Sequence, residues 1–368
     1  MDYFRGIAFL GVALQHVLGI FAHEGQVTAA PHGVITIGLT FNLVKFAVPA
    51  FVLVSGLVLV HKYLPAFTAS SFYRKRIREL LIPYLLWTAV FQLYYTGGTG
   101  QPTINPGIWV HQAITGSASY HLWYVVLLLQ FYFLFPLFLP IFRWLNNNQK
   151  NIGLILLAAA LLYVFMMWFS CYYLPNHPTW PDSGWGQLLV KYRDRNMLFW
   201  FFYFLAGGVI ALRITDFYHW LAQIRVYNVI IWFVLLLWIT WELNSGIKNN
   251  VINLGYSTTL KPSMFLYTLS SLLLLYDLCL SLKARSGLIG LLFQTYGYYS
   301  QGSYFVHPLT LAVAMSVLRH YNMLVSYPLT SMVLAFFICV VLALFTTFTL
   351  SLLPGGKWLT GTIPGKKR

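Results

Sequence analysis

Arg5 and His16 stand in the first apolar stretch of the chain with ten residues between them. Eleven helical steps of about 100° come to within about 20° of three full turns, at a rise of about 16 Å. A helix here therefore carries both on one face, the guanidinium near one membrane surface and the imidazole roughly halfway across. A neutral imidazole is cheap to bury, titrates near neutrality and takes a proton from a hydroxyl such as a sugar's. The arginine suits an anionic group arriving from the cytosol, such as the phosphates of a nucleotide-type donor. The competing reading is structural, with Arg5 as a positive anchor and His16 as a histidine satisfied by a neighbouring helix.

Other polar residues in apolar surroundings carry similar pairs of readings, because an ionisable group inside a bilayer is costly and usually faces a cavity or a partner. The run Arg74-Lys75-Arg76-Ile77-Arg78 is either ordinary surface charge with affinity for anionic lipid or a phosphate-binding mouth on the Arg5 side. His121, Trp123 and Tyr124 open one apolar stretch, and His307 with Pro308 lies inside another. Lys45 and Asp277 are further charges within apolar runs, and they are candidates for pairing with each other. Cys171, Cys279 and Cys339 have no paired spacing and read as packing residues. No His, Cys or carboxylate set has ligand spacing, so no metal is expected.

The elements that must position these groups are membrane helices. Of 368 residues, 59% are hydrophobic and 8% charged, against about 25% charged in a soluble domain. A water-soluble fold is excluded. Stretches of roughly 20 apolar residues suffice to span a bilayer. About ten are legible, near 4–22, 37–61, 80–97, 120–142, 152–174, 197–214, 227–243, 262–282, 301–319 and 327–353. The shorter run 287–299 reads as a re-entrant or interfacial helix. The opening stretch resembles a signal peptide only superficially, for no small-residue cleavage site follows it. The expected fold is an all-α polytopic bundle, with a membrane domain over 1–353 and a short basic cytoplasmic tail over 354–368.

The net charge of +15 would suggest nucleic acid in a soluble protein. Here the placement of the cations decides otherwise, and no nucleic-acid partner is expected. With the N-terminus in the cytoplasm, most Lys and Arg fall inside, including the 74–78 run, Arg143, Arg225, Lys283 and the C-terminal Lys366, Lys367 and Arg368. The opposite side keeps Lys191, Arg193, Arg195, Lys248, Lys261 and Arg319. The bias fits both termini inside.

In order along the chain, the motifs resemble the acyltransferase 3 family of bacterial membrane acyltransferases. Arg5 with His16 matches its Arg-x10-His signature, and Val48-Pro49-Ala50-Phe51 with Ser55-Gly56 matches its second-helix pattern. Arg76 to Tyr84 is similar to its basic helix entry, while His121-Leu122-Trp123-Tyr124 and Ser303-Tyr304-Phe305-Val306-His307-Pro308 resemble later motifs. One position departs, since Glu79 stands where members often have a second arginine. The pattern is most similar to stand-alone members that modify exopolysaccharide, such as the intercellular-adhesin acyltransferase.

The resemblance implies transfer of an acetyl or succinyl group from cytosolic acyl-CoA to a hydroxyl of an extracytoplasmic glycan or lipid-linked sugar, in a bacterial cytoplasmic membrane. It implies catalytic roles for His16 and Arg5, donor contacts at Arg74, Arg76 and Arg78, and an acceptor side lined by His121, Trp123, Tyr304 and His307. His16 serves as either a general base or an acyl-histidine nucleophile. The rival readings are a polysaccharide or lipid-linked sugar exporter and a non-catalytic scaffold.

Overall fold

The computed structural model describes residues 1–23, 31–177, 184–247, 253–285 and 287–361. Lys248 and the tail residues 362–368, used in the charge argument, lie outside them. Among the described residues all regular structure is helical. In chain order the first α-helices are α1 Asp2–His23, α2 Pro31–Leu43, α3 Ala47–Tyr63, α4 Ala69–Arg76, α5 Ile82–Gly97 and α6 Pro106–Thr115. Next come α7 Trp123–Asn147, α8 Ile152–Trp168, α9 Leu174–Asn176, α10 Gly184–Lys191, α11 Phe201–Leu212 and α12 Ile214–Asn244. The chain then forms α13 Pro262–Arg285, α14 Leu288–His320, α15 Met323–Ser326, α16 Pro328–Leu352 and α17 Lys357–Thr360.

Among the described residues, seven helical stretches are long and apolar enough to cross a membrane, by length and composition: Asp2–His23, Gly33–Tyr63, Trp123–Asn147, Gln149–Tyr173, Ile214–Asn244, Pro262–Arg285 and Pro328–Leu352. The protein is an all-α, polytopic membrane bundle. Every expected span falls on a helix. However, α5 and α11 have only 16 and 12 residues, and the apolar sequence of the continuous helix α14 is relieved by the polar Gln301, Ser303 and His307. Exposed apolar side chains run along single faces, as with Phe337, Val341 and Phe345 of α16 or Leu154, Leu157 and Leu161 of α8. Such stripes suit hydrocarbon.

The chain divides into two compact units, Met1–Val54 with Arg213–Thr347 and Ser55–Leu212 with Phe348–Arg368. In the first unit, α1 lies along α14 at close range. A side chain at Gly6 would run into the Phe293 carbonyl, and one at Gly297 into the Asp2 carbonyl. Small residues of this kind let membrane helices approach backbone to backbone. Alongside, α12 packs on α13 through Arg225 and Asp277 at 2.6 Å, Asn228 Nδ2 to the Ser270 carbonyl at 3.1 Å and Trp232 Nε1 to Ser271 Oγ at 3.0 Å. Asp277 is therefore not the partner of Lys45. Adjacent helices in the chain bring Arg225 to it first.

Two further differences from the sequence reading concern continuity. The 37–61 stretch is broken at Val44–Phe46, where Lys45 N–H turns back to the Asn42 carbonyl and Ala47 N–H to the Val44 carbonyl, both at 3.1 Å. Conversely, 287–299 is no separate re-entrant helix but the first half of the 33-residue α14. Ser300, where a stop was expected, bonds the Gly297 carbonyl one turn back at 2.8 Å, so its hydroxyl is satisfied without ending the helix.

In the second unit, α4 runs through a π-helical turn over Ile77–Leu81 into α5, placing the basic run inside one continuous helical segment. Tyr84 of α5 donates to the Ala113 carbonyl of α6 at 2.6 Å, and Trp87 Nε1 to the Leu359 carbonyl of α17 at 2.9 Å. The described part of the expected tail is thus folded onto α5.

Candidate active site

The α1–α14 contact brings together two histidines that are 291 positions apart, 16 and 307. Their rings stack with centroids 5.2 Å apart and planes inclined by 26°. His307 is fully buried and His16 half-buried. Nδ1–H of His307 donates to the Tyr304 carbonyl at 2.7 Å, which fixes the ring and makes Nε2 its basic nitrogen in the neutral form. Phe9 meets the same ring edge-on at 6.2 Å, and the Tyr304 ring lies 5.6 Å away. Behind it, Thr310 Oγ1 donates to the Cys339 carbonyl at 3.1 Å and Cys339 Sγ lies 3.5 Å from the His307 carbonyl. The cysteine packs, as its sequence setting suggested.

Arg5 lies on the unbroken α1, about 16 Å along the axis from His16. Its guanidinium is 3.6 Å from the carboxylate of Asp2 one turn back. On the other side of His16 is the α2–α3 break. Gln15 Nε2 donates to the Val44 carbonyl at 2.5 Å, so the chain preceding His16 is tied to the residue preceding Lys45. The Lys45 ammonium stands 4.0 Å over the Phe41 ring, and its charge is close enough to interact with those of His16 and Lys261.

The remaining expected site residues belong to the second unit, in two separate groups. Arg76 is enclosed by aromatic rings, 4.7 Å from Tyr132, 5.3 Å from Phe72 and 5.9 Å from Tyr63. One of its terminal nitrogens reaches Tyr63 Oη at 3.5 Å, while the buried Nε has no hydrogen-bond partner among the described residues. Arg74 and Arg78 are exposed. Between them, burial and the neighbouring Lys62 amine pull Lys75 down to about 8, against the opposing pull of Glu79 at 3.8 Å. Near the other end of α5, His121 is buried, with Nδ1 3.2 Å from Ser119 Oγ and its ring 5.2 Å from Phe91. Trp123 lies against Trp200 at 5.8 Å.

The whole constellation falls within a stretch that one family accounts for: the model described as an acyltransferase domain matches residues 1–352. This chain belongs to the acyltransferase 3 family. No curated protein and no solved structure gives a match.

The membrane acyltransferase thus has an imidazole pair in one unit and an aromatic-held guanidinium in the other. Sequence reasoning named His16, His307 and Arg76 separately. It missed the stacking of the two histidines, the aromatic enclosure of Arg76 and the placement of Lys45 beside His16. For the last, a signal existed: a lysine inside a 31-residue apolar stretch invites a search for what it faces.

Proposed function

We propose that the acyltransferase carries an acetyl or succinyl group from acyl-CoA in the cytosol to a hydroxyl of an extracytoplasmic glycan or lipid-linked sugar, in a bacterial cytoplasmic membrane. The observation that supports this most is the half-buried His16 ring stacked on the fixed ring of His307. In the transfer, His16 takes the hydroxyl proton, the hydroxyl oxygen bonds to the acyl carbon, the carbon–sulfur bond breaks, and the CoA thiolate leaves to take up a proton. An imidazole held in one orientation near the reacting atoms is worth about 100- to 10,000-fold in rate as a general base. The same atoms serve an acyl-histidine route, in which His16 attacks the thioester first.

Within the second unit, donor phosphates are assigned to Arg76, with Arg74 and Arg78 at the surface. Arg76 is suited to this because aromatic faces orient the guanidinium while no described carboxylate pairs with it. Within the first unit, the acceptor side is assigned to Tyr304 and His307.

Membranes holding the protein are incubated with labelled acetyl-CoA or succinyl-CoA and surface glycan, and the label is located by mass spectrometry. Label on glycan hydroxyls is expected from one of the two donors. Glycan exported with no label from either donor would overturn this reading in favour of export.

A further inference from the structure

Six carboxylates are described, and each is already taken: Asp2 by Arg5, Glu79 by Lys75, Asp194 by Arg195, Asp216 by Arg213, Glu242 by Lys261 and Asp277 by Arg225. Lys45 has none of them, although it lies in the middle of a 31-residue apolar stretch. Its neighbour Lys261 shows the contrasting solution. That ammonium is buried and fully answered, by Glu242 Oε2 at 2.5 Å and the Tyr256 carbonyl at 2.6 Å, while Ser263 Oγ adds a bond to the same carboxylate at 2.7 Å. A cation inside a bilayer that pairs with none of the described carboxylates is expensive to hold, and one aromatic face offsets only part of that cost.

The backbone around Lys45 is equally unusual. A span interrupted at mid-length is tolerated where the irregular backbone is buried in protein or lines a cavity. Here the break at Val44–Phe46 is fastened to α1 by Gln15, and Gly11 of α1 sits against Ala47, leaving little room between them. The 17-residue α3 then starts at Ala47, and the Lys45 ammonium just before it is close enough to the His16 ring for their charges to interact. Lys45 is half-buried and so reachable.

Resting on the acyl-transfer reading above, we propose that the Lys45 ammonium binds an anionic group of a substrate beside His16 and so selects for charged substrates. The group is a carboxylate or phosphate. It comes either from the far end of a dicarboxylic acyl chain or from an acidic acceptor sugar.

The test uses the full-length protein in membranes, with acetyl-CoA and succinyl-CoA each offered to a neutral N-acetylhexosamine oligosaccharide and to a uronic-acid oligosaccharide. In Lys45→Met, the ratio of kcat/KM for the charged over the neutral substrate is expected to fall by about 10- to 100-fold, the range for losing one hydrogen bond to a charged group. Lys45→Arg keeps that ratio within about threefold, because the charge remains. A fall confined to the succinyl arm locates the anion on the donor, and one confined to the uronate arm locates it on the acceptor. Equal losses in all four pairings, or complete loss in every one, would overturn the proposal and give Lys45 a structural or general catalytic role. A wild-type protein inactive in all four would remove the acyl-CoA-to-glycan reading itself, and this proposal with it.

Discussion

A guanidinium that meets three aromatic rings and none of the described carboxylates is oriented but not neutralised by them, and this sets Arg76 apart from Arg74 and Arg78 within a single helical turn. Arg76→Lys keeps the charge and loses both the planar donor set and the stacking. The KM for acyl-CoA is expected to rise about 10-fold with kcat held within about threefold, whereas Arg74→Lys leaves KM within about twofold. Steady-state kinetics on the three proteins checks this. Lys75 adds a pH dependence of known sign. With its proton lost around pH 8, the positive charge of the run declines between about pH 7 and pH 9, so the acyl-CoA KM should climb across that window in the wild type and stay flatter in Lys75→Met. At this scale the sequence was informative about residue types. It held no sign of the rings around Arg76, because Tyr63, Phe72 and Tyr132 come from three different helices. It also offered Asp277 to Lys45, a pairing that the α12–α13 packing pre-empts.

Between the residues and the bundle stand a few helix contacts, of which α1 against α14 matters most. The stack of His16 on His307 exists because Gly6 and Gly297 let the two backbones close on each other. Gly297→Leu has no room against the Asp2 carbonyl and must push the helices apart, an overpacking that costs about 1–3 kcal/mol. Transfer activity is expected to fall at least about 10-fold while the protein still inserts and purifies, since a displacement of about 1 Å at the reacting groups can cost about 100-fold. Activity unchanged in Gly297→Leu would separate the reaction from this contact. Helix positions were largely legible from apolar runs, and their continuity was not. The break at Lys45 is held by a hydrogen bond from Gln15, 29 positions away along the chain, and α14 runs on because Ser300 satisfies itself locally. Neither event has a signature in local hydropathy.

For the molecule as a whole, the proposed function has donor and acceptor meet at an imidazole partway along the first helix of a multi-pass bundle. Its all-α character followed directly from composition. Its division into two units did not, because the dividing points, Val54/Ser55 in α3 and Thr347/Phe348 in α16, fall inside apolar helices where composition does not change. The expected orientation, with the N-terminus and the 74–78 run on the cytosolic side, makes transfer directional. The most direct measurement is therefore made on sealed inside-out vesicles carrying wild-type protein or His16→Ala, with labelled acyl-CoA supplied only outside and acceptor glycan enclosed. Labelled glycan is expected within the wild-type vesicles, with a rate at least about 100-fold lower for His16→Ala. Undiminished labelling by His16→Ala, or labelling only when acyl-CoA is enclosed with the glycan, would contradict the proposed function.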